Sequence, residues 1–155
     1  MLGRSLERVD MTARLISTAH VTSGAQSAWS NVLRGCGAHH AFVRTYGGVT
    51  TDSDAAEFLL LDRLFPRSVV HNLAAAEAAL ADLDHAGGRR VGFDDEARRL
   101  LGTARAALEY RPPARILEDL PQRMTDLQRT CNRVSETVTQ RYFSGATAAT
   151  WSGGK

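Results

Sequence analysis

Lysine is almost missing from this sequence. Of its 19 lysine and arginine residues, only Lys155, the last residue, is a lysine. Chemistry that needs a lysine amine, such as a Schiff base or a lysine that binds ATP, is therefore excluded from residues 1–154. Recognition of an anion by a permanently charged side chain falls to arginine, whose guanidinium presents a planar fork of donors.

Cysteine is scarce as well. Cys36 and Cys131 stand far apart and outside any Cys-x-x-Cys or Cys/His metal spacing. The sequence therefore predicts two buried, reduced thiols in a reducing compartment. A Glu-x-x-His pair, a P-loop and a Gly-x-Ser-x-Gly elbow are all absent. We accordingly expect no metal site and no cofactor.

Long apolar runs and a strong charge imbalance are also missing. No run approaches the roughly 20 apolar residues of a membrane-spanning helix. The first helix carries arginine from Arg4 onward, unlike the apolar core of a signal peptide. The net charge of +2 is too small to favour nucleic acid or an anionic membrane as a partner. We expect a cytoplasmic protein that binds neither.

Apolar residues recur at helical spacing, which predicts an all-α bundle of about five to six helices. Residues 1–143 form the predicted single domain, and the small, polar residues 144–155 a flexible tail. The predicted elements are a helix over 2–18, a second over 25–46, a short helix capped by Ser53 or Asp54, a long helix from Pro66 to Gly87, a helix capped by Asp94 or Asp95 that stops at Pro112, one turn over 114–119, and a last helix from about Pro121 to Phe143.

The first predicted helix carries a dense cluster of charges. Its members are Arg4, Glu7, Arg8, Asp10 and Arg14. Asp10 and Arg14 form an acid-before-base pair at i,i+4. Met11 and Leu15 lie among the charges, which predicts that the helix packs on two sides, with its charges against a partner element.

Two interpretations of this cluster stay open. One is an internal salt-bridge network that joins helices, as structural ion pairs often do. The other is a carboxylate–guanidinium cleft in which the arginines bind an anionic group and Glu7 is a candidate general base.

A second cluster surrounds the Phe65–Pro66 corner, in the segment LDRLFPRS. Asp62 could pair with Arg67 and lock the corner, with Ser68 as a helix cap, and this structural interpretation is favoured. Alternatively, the amides of the helix that follows Pro66 could bind an anion with help from Arg67. The combined candidate site or interface comprises Arg4, Glu7, Arg8, Asp10, Arg14, Asp62, Arg67 and Ser68.

Adjacent histidines follow the first cysteine. His39 and His40 point about 100° apart on a helix, so they cannot share a metal as an i,i+4 pair does. The sequence predicts one partly buried and one exposed histidine.

Three segments carry a resemblance to one family. LGRSLERVDMTARLI at 2–16 resembles the hallmark of the bacterial alpha-E domain. AWSNVLRGCGAHHAFVRTYGG at 28–48 is similar to the Trp-x-x-Leu-Leu-Arg-Ser segment of that family, and AAEFLLLDRLFPRSVVHNL at 55–73 to its AEFLLLD…FPRSV signature. The resemblance extends from Leu2 to Phe143.

The resemblance implies a setting rather than a reaction. Alpha-E proteins are usually about twice this length and look like two related halves, of which this chain resembles the second. The family occurs near circularly permuted ATP-grasp ligases and transglutaminase-like cysteine proteases. The implied role is an accessory domain in peptide or protein modification, paired with a first-half chain or with a second copy of itself. The alternative is an enzyme or small-ligand binder built on the two clusters.

Overall fold

A computed structural model describes residues 1–21, 28–47, 51–83 and 95–143. These ranges contain seven α-helices, one 3-10 turn at Pro113–Arg115 and no strand, so the all-α prediction is confirmed. The helices are α1 (Leu2–Val21), α2 (Ala28–Gly35), α3 (His39–Tyr46), α4 (Asp52–Leu61), α5 (Val69–Leu83), α6 (Glu96–Glu109) and α7 (Leu120–Phe143).

Four long helices form the body of the domain. Helix α1 packs against both α5 and α7, and α6 packs against the same two helices. The buried stripe of α1 contains Val9, Ala13 and Ile16, all with no exposed surface. Their helical spacing directs one face of α1 into the core. The buried stripe of α7 runs from Leu120 to Val134.

The short helices α2, α3 and α4 form a second layer at one side of α1. Helix α2 contacts α1, and α4 contacts α5. Phe42, Tyr46 and Phe58 pack ring against ring between α3 and α4. This layer brings the end of α2 and the corner between α4 and α5 close to α1.

The prediction of a single helix over 25–46 is wrong, because α2 ends at Gly35 and α3 begins only at His39. Gly37 has a φ of +62°, a left-handed conformation that glycine adopts readily. The amide of Gly37 donates to the carbonyl of Arg34, and the amide of Ala38 donates to that of Leu33. This is a Schellman motif, which satisfies the last carbonyls of α2 before α3 begins.

Two predicted helix starts are also wrong. Helix α4 is capped by Thr51, whose hydroxyl accepts from the Asp54 amide at 3.1 Å, and not by Ser53 or Asp54. Helix α5 begins at Val69, three residues later than predicted, because Pro66 belongs to the preceding turn. Of the two caps predicted for α6, Asp95 is the one observed. The predicted tail at 144–155 and the stop at Gly87 lie outside the described residues.

None of the described helices is both long enough and apolar enough to cross a membrane.

Candidate functional site

One cleft brings together residues of both predicted clusters. It has a volume of about 260 Å³ and lies between α1, the end of α2 and the α4–α5 corner. Its lining residues are Arg4, Glu7, Arg8, Met11, Thr12, Leu15, Gly35, Cys36 and Arg67. The cleft therefore places three guanidinium groups and one carboxylate around a single space.

Helix α1 supplies most of the lining from one continuous face. Arg4, Glu7, Arg8 and Met11 follow at intervals of three, one and three residues, which superimposes them on one side of a helix. The core stripe of α1 points the other way and anchors the helix against α5 and α7. The cleft face is therefore held in place by packing that the cleft residues themselves do not provide.

Arg67 reaches the cleft from the α4–α5 corner. Its Nη1 donates to the carbonyl of Cys36 at 3.0 Å, at the end of α2. The Thr12 hydroxyl donates to the backbone carbonyl of Arg67 at 3.3 Å, which ties the corner to α1. These two bonds fix the third guanidinium opposite the α1 face, while its remaining N–H groups stay available as donors.

Gly37 leaves room for this arrangement. A Cβ atom at position 37 would lie 2.7 Å from Nη1 of Arg67, closer than van der Waals contact permits. Gly37 therefore has two roles. Its left-handed conformation ends α2, and its lack of a side chain leaves room for the Arg67 guanidinium beside the carbonyl of Cys36.

The α1 charges in the cleft have no partners within the described part of the chain. Arg4, Glu7 and Arg8 form neither an ion pair nor a side-chain hydrogen bond with another described residue. The internal salt-bridge network predicted as one interpretation is thus not formed by these three residues. Charges that line a concave space without protein partners remain available to a ligand.

Asp10 and Arg14 lie outside the cleft lining. They form the predicted i,i+4 ion pair, with Arg14 Nε 2.7 Å from Asp10 Oδ2. The hydrogen bond that Arg14 donates to Asp10 raises the pKa of Arg14. The expectation that α1 packs its charges against a partner element is wrong for Arg14, whose side chain is 60% exposed. Arg14 lies at the helix surface, whereas the Asp10 side chain is only 25% exposed, its Oδ1 is buried, and its charge acts on Cys131 of α7.

Asp62 and Ser68 also lie outside the cleft lining, and the predicted Asp62–Arg67 ion pair is wrong. The Asp62 carboxylate instead accepts from the amides of Leu64 and Phe65, both at 2.8 Å. The Ser68 hydroxyl donates to the Asp62 carbonyl and accepts from the His71 amide at 3.2 Å. The prediction that Ser68 is a cap is confirmed, and this cap occupies one of the amides that an anion at the start of α5 would use.

Cys36 is a buried residue of the cleft lining. Burial raises the pKa of its thiol to about 11, and Thr12 and Arg67 offset only part of that effect. The thiol is therefore protonated at neutral pH and lacks the thiolate character of a nucleophile. Both cysteines are buried and free, as predicted.

The remaining titratable groups do not assemble a metal site in the described ranges, where no three His, Cys, Asp or Glu side chains come together. His39 is half-buried and His40 is exposed, as predicted. Their rings meet edge to face with centroids 5.7 Å apart.

The charged α1 residues and Arg67 were both predicted as site residues from the sequence, but the contact between Arg67 and Cys36 at the end of α2 was not. Thr12 and Leu15 continue the helical stripe that starts at Arg4, so their spacing was a usable signal. Cys36 and Arg67 are separated by 31 positions, and no local pattern indicates that they touch.

A comparison with family models gives one match. The Alpha-E model, described as a predicted alpha-helical domain with a conserved ER motif, matches residues 1–143. The only Glu-Arg dipeptide of the sequence is Glu7–Arg8, and both residues line the cleft. No curated protein and no solved structure matches the chain.

Proposed function

This chain belongs to the alpha-E family, and from that premise we propose that it is an accessory domain that binds a small anionic ligand in the α1 cleft. Arg4, Arg8 and Arg67 would hold the anion, and Glu7 would contact a second group of the ligand. The Glu-Arg dipeptide would then form part of the binding site.

One observation carries the proposal. Residues from two separate sequence motifs line the same cleft, and its α1 charges have no partners in the described parts of the chain. Clustered guanidinium groups repel one another, so an unneutralised cluster in a concave site favours an anion. Arginine forks match carboxylate and phosphate oxygens in pairs, which adds geometric selectivity.

The proposed setting is the cytoplasm, with an ATP-grasp ligase and a transglutaminase-like protease as partner enzymes in peptide or protein modification. The resemblance of the three sequence segments to alpha-E proteins supports this setting. Two buried free thiols agree with a reducing compartment. We also propose that a second copy of the chain, or a separate first-half chain, completes the assembly.

The oligomeric part of the proposal can be tested by light scattering over a dilution series. A stable dimer would support self-pairing, whereas a monomer would contradict it and leave the first-half chain as the proposed partner.

The ligand part of the proposal can be tested by thermal unfolding in phosphate and in chloride at equal ionic strength. We expect phosphate at ten times its Kd to raise Tm by about 3–6 °C. The double variant Arg8→Gln/Arg67→Gln should lose this shift, because two of the three guanidinium groups are gone.

A matched control uses arginines outside the cleft. Arg14 and Arg129 are exposed and ion-paired on the surfaces of α1 and α7. The double variant Arg14→Gln/Arg129→Gln should keep the full phosphate shift. Equal loss in both double variants, or no shift in the unmodified protein, would contradict the proposal.

A further inference from the structure

The charges and the apolar lining of the cleft specify more than an anion. Resting on the proposed ligand-binding function, we propose that the cleft recognises a carboxylate with an N–H donor on the neighbouring carbon and an apolar side chain. An α-amino acid and the C-terminal residue of a peptide share this chemistry. The arginines would bind the carboxylate, Glu7 the nitrogen, and the Met11–Leu15 side of the cleft the apolar group.

The Glu7 carboxylate indicates that the ligand carries a hydrogen-bond donor as well as an anionic group. A carboxylate beside a phosphate or a simple carboxylate ligand would repel it, and a site for an anion alone gains nothing from it. Glu7 is exposed and makes no contact with Arg4 or Arg8 that would neutralise it within the described residues. Its oxygens therefore remain as acceptors for a ligand donor, and a protonated amine is the donor that a carboxylate binds most strongly.

The apolar part of the cleft lining indicates that the ligand also carries an apolar group. Met11 is 55% exposed although most of the apolar residues of α1 are buried. Leu15, one helical turn further along the same face, is half-buried. Both residues line the cleft next to the charges. A ligand that carries an apolar group would cover the surface that Met11 now leaves open to water.

The volume of the cleft fits a small ligand. Its volume of about 260 Å³ lies below the ~300–1,000 Å³ of pockets that enclose a drug-sized ligand. A single amino acid or one terminal residue is of the appropriate scale for a space of this volume.

The test is isothermal titration calorimetry of the full chain with four matched probes. L-leucine carries all three groups, 4-methylpentanoate lacks the amine, L-leucinamide lacks the carboxylate, and inorganic phosphate is the simple anion. We expect L-leucine to bind at least about tenfold more tightly than 4-methylpentanoate and than L-leucinamide. A fifth probe, the dipeptide Gly-Leu, presents leucine as a C-terminal residue, so tighter binding of Gly-Leu or of L-leucine identifies which source the cleft prefers.

The Glu7→Gln variant assigns the nitrogen contact. This variant should bind L-leucine about tenfold more weakly, while its affinity for 4-methylpentanoate stays the same or rises because a repulsive charge is gone. Glu136→Gln is the matched control, since Glu136 is an exposed glutamate of α7 outside the cleft. It should bind all four probes as the unmodified protein does.

The outcomes separate this inference from the proposed function. If phosphate and 4-methylpentanoate bind as tightly as L-leucine, or if Glu7→Gln keeps the preference for L-leucine, the amino-acid assignment is wrong and the anion site remains. If none of the probes binds, both proposals are wrong.

Discussion

At the scale of single residues, the site depends on Arg67. No spacing pattern in the sequence indicates that this arginine lies close to the cleft residues of α1. Arg67 reaches the end of α2 because Gly37 has no side chain, and its backbone is tied to Thr12 of α1. The prediction that Arg67 pairs with Asp62 failed because the Asp62 carboxylate is used by two amides of its own turn. Short aspartate-to-amide bonds of this kind compete well with a longer-range ion pair.

The Gly37→Ala substitution tests the role of this glycine. It adds a Cβ at a φ of +62° and 2.7 Å from Arg67 Nη1. We expect a loss of about 2–3 kcal/mol in the free energy of unfolding, of which about 1–2 kcal/mol reflects the left-handed backbone. Urea denaturation measures the loss.

Gly47→Ala is the matched control for that substitution. Gly47 also has a positive φ, of +79°, but an added Cβ would have no neighbour within 4 Å. This variant should lose only the backbone part, and it should retain the phosphate shift in Tm that Gly37→Ala loses. Equal losses of stability and of binding in the two variants would show that contact with Arg67 is unimportant.

At the scale of elements, the apolar periodicity of the sequence located the long helices. The exact residues at which helices begin and end depend on local capping interactions, which the periodicity does not show. The stripes of α1 and α7 were predicted because each has one buried face. The break between α2 and α3 was missed because Val32, Cys36 and Val43, which are four and seven residues apart, keep a helical spacing across it. A left-handed glycine interrupts the helix there without interrupting the apolar pattern.

An ion-pair network joins α5, α6 and the α4–α5 corner. Arg105 Nε lies 2.7 Å from Glu77 Oε2, and its Nη1 lies 2.7 Å from Glu109 Oε2. The other oxygen of Glu109 lies 3.1 Å from Arg63 Nη2. The hydrogen bond that Arg105 donates to Glu77 is the largest of the effects that raise the pKa of Arg105.

The Arg105→Gln substitution should lower the free energy of unfolding by about 1 kcal/mol, because a partly exposed network is worth more than an isolated surface pair but is still screened by water. Urea denaturation at low and at 1 M NaCl checks this, since salt should shrink the difference. Arg129→Gln removes an exposed i,i+3 pair with Asp126 and serves as the control, with little expected effect. A loss at Arg105 that is unchanged by salt would contradict an electrostatic origin.

At the scale of the whole molecule, stability depends on a core that contains both cysteines. Cys131 lies on the buried stripe of α7, and burial, with a smaller effect of Asp10, raises its pKa to about 12. In the unfolded chain this thiol titrates with its ordinary pKa of about 9.0. The native state therefore keeps the proton over a pH range in which the unfolded state loses it.

The pH dependence follows from that difference. Because the folded pKa is raised, the stabilisation is complete below pH 9 and falls as pH rises from there toward the folded value. At pH 10 the unfolded state gains about 1.4 kcal/mol from ionisation of Cys131, which the native state does not share.

The Cys131→Val variant provides the comparison. Between pH 7 and pH 10 the unmodified protein should lose about 1.4 kcal/mol more of its free energy of unfolding than the variant does. The reason is that the variant has no thiol to ionise at this position. Urea denaturation at the two pH values measures the change. Parallel pH profiles of the two proteins would show that Cys131 titrates alike in both states.

A residue-resolved NMR titration decides whether Arg4, Arg8 and Arg67 form one anion site. A series of ¹H–¹⁵N spectra with increasing phosphate at constant ionic strength reports every arginine Nε–Hε group and backbone amide. We expect saturating shifts of the Nε–Hε signals of these three arginines and of the amides of Gly35 and Cys36, with the signal of Arg14 unchanged. Shifts spread over all exposed arginines in proportion to phosphate, or saturation at Arg63 and Arg105 instead, would contradict this expectation.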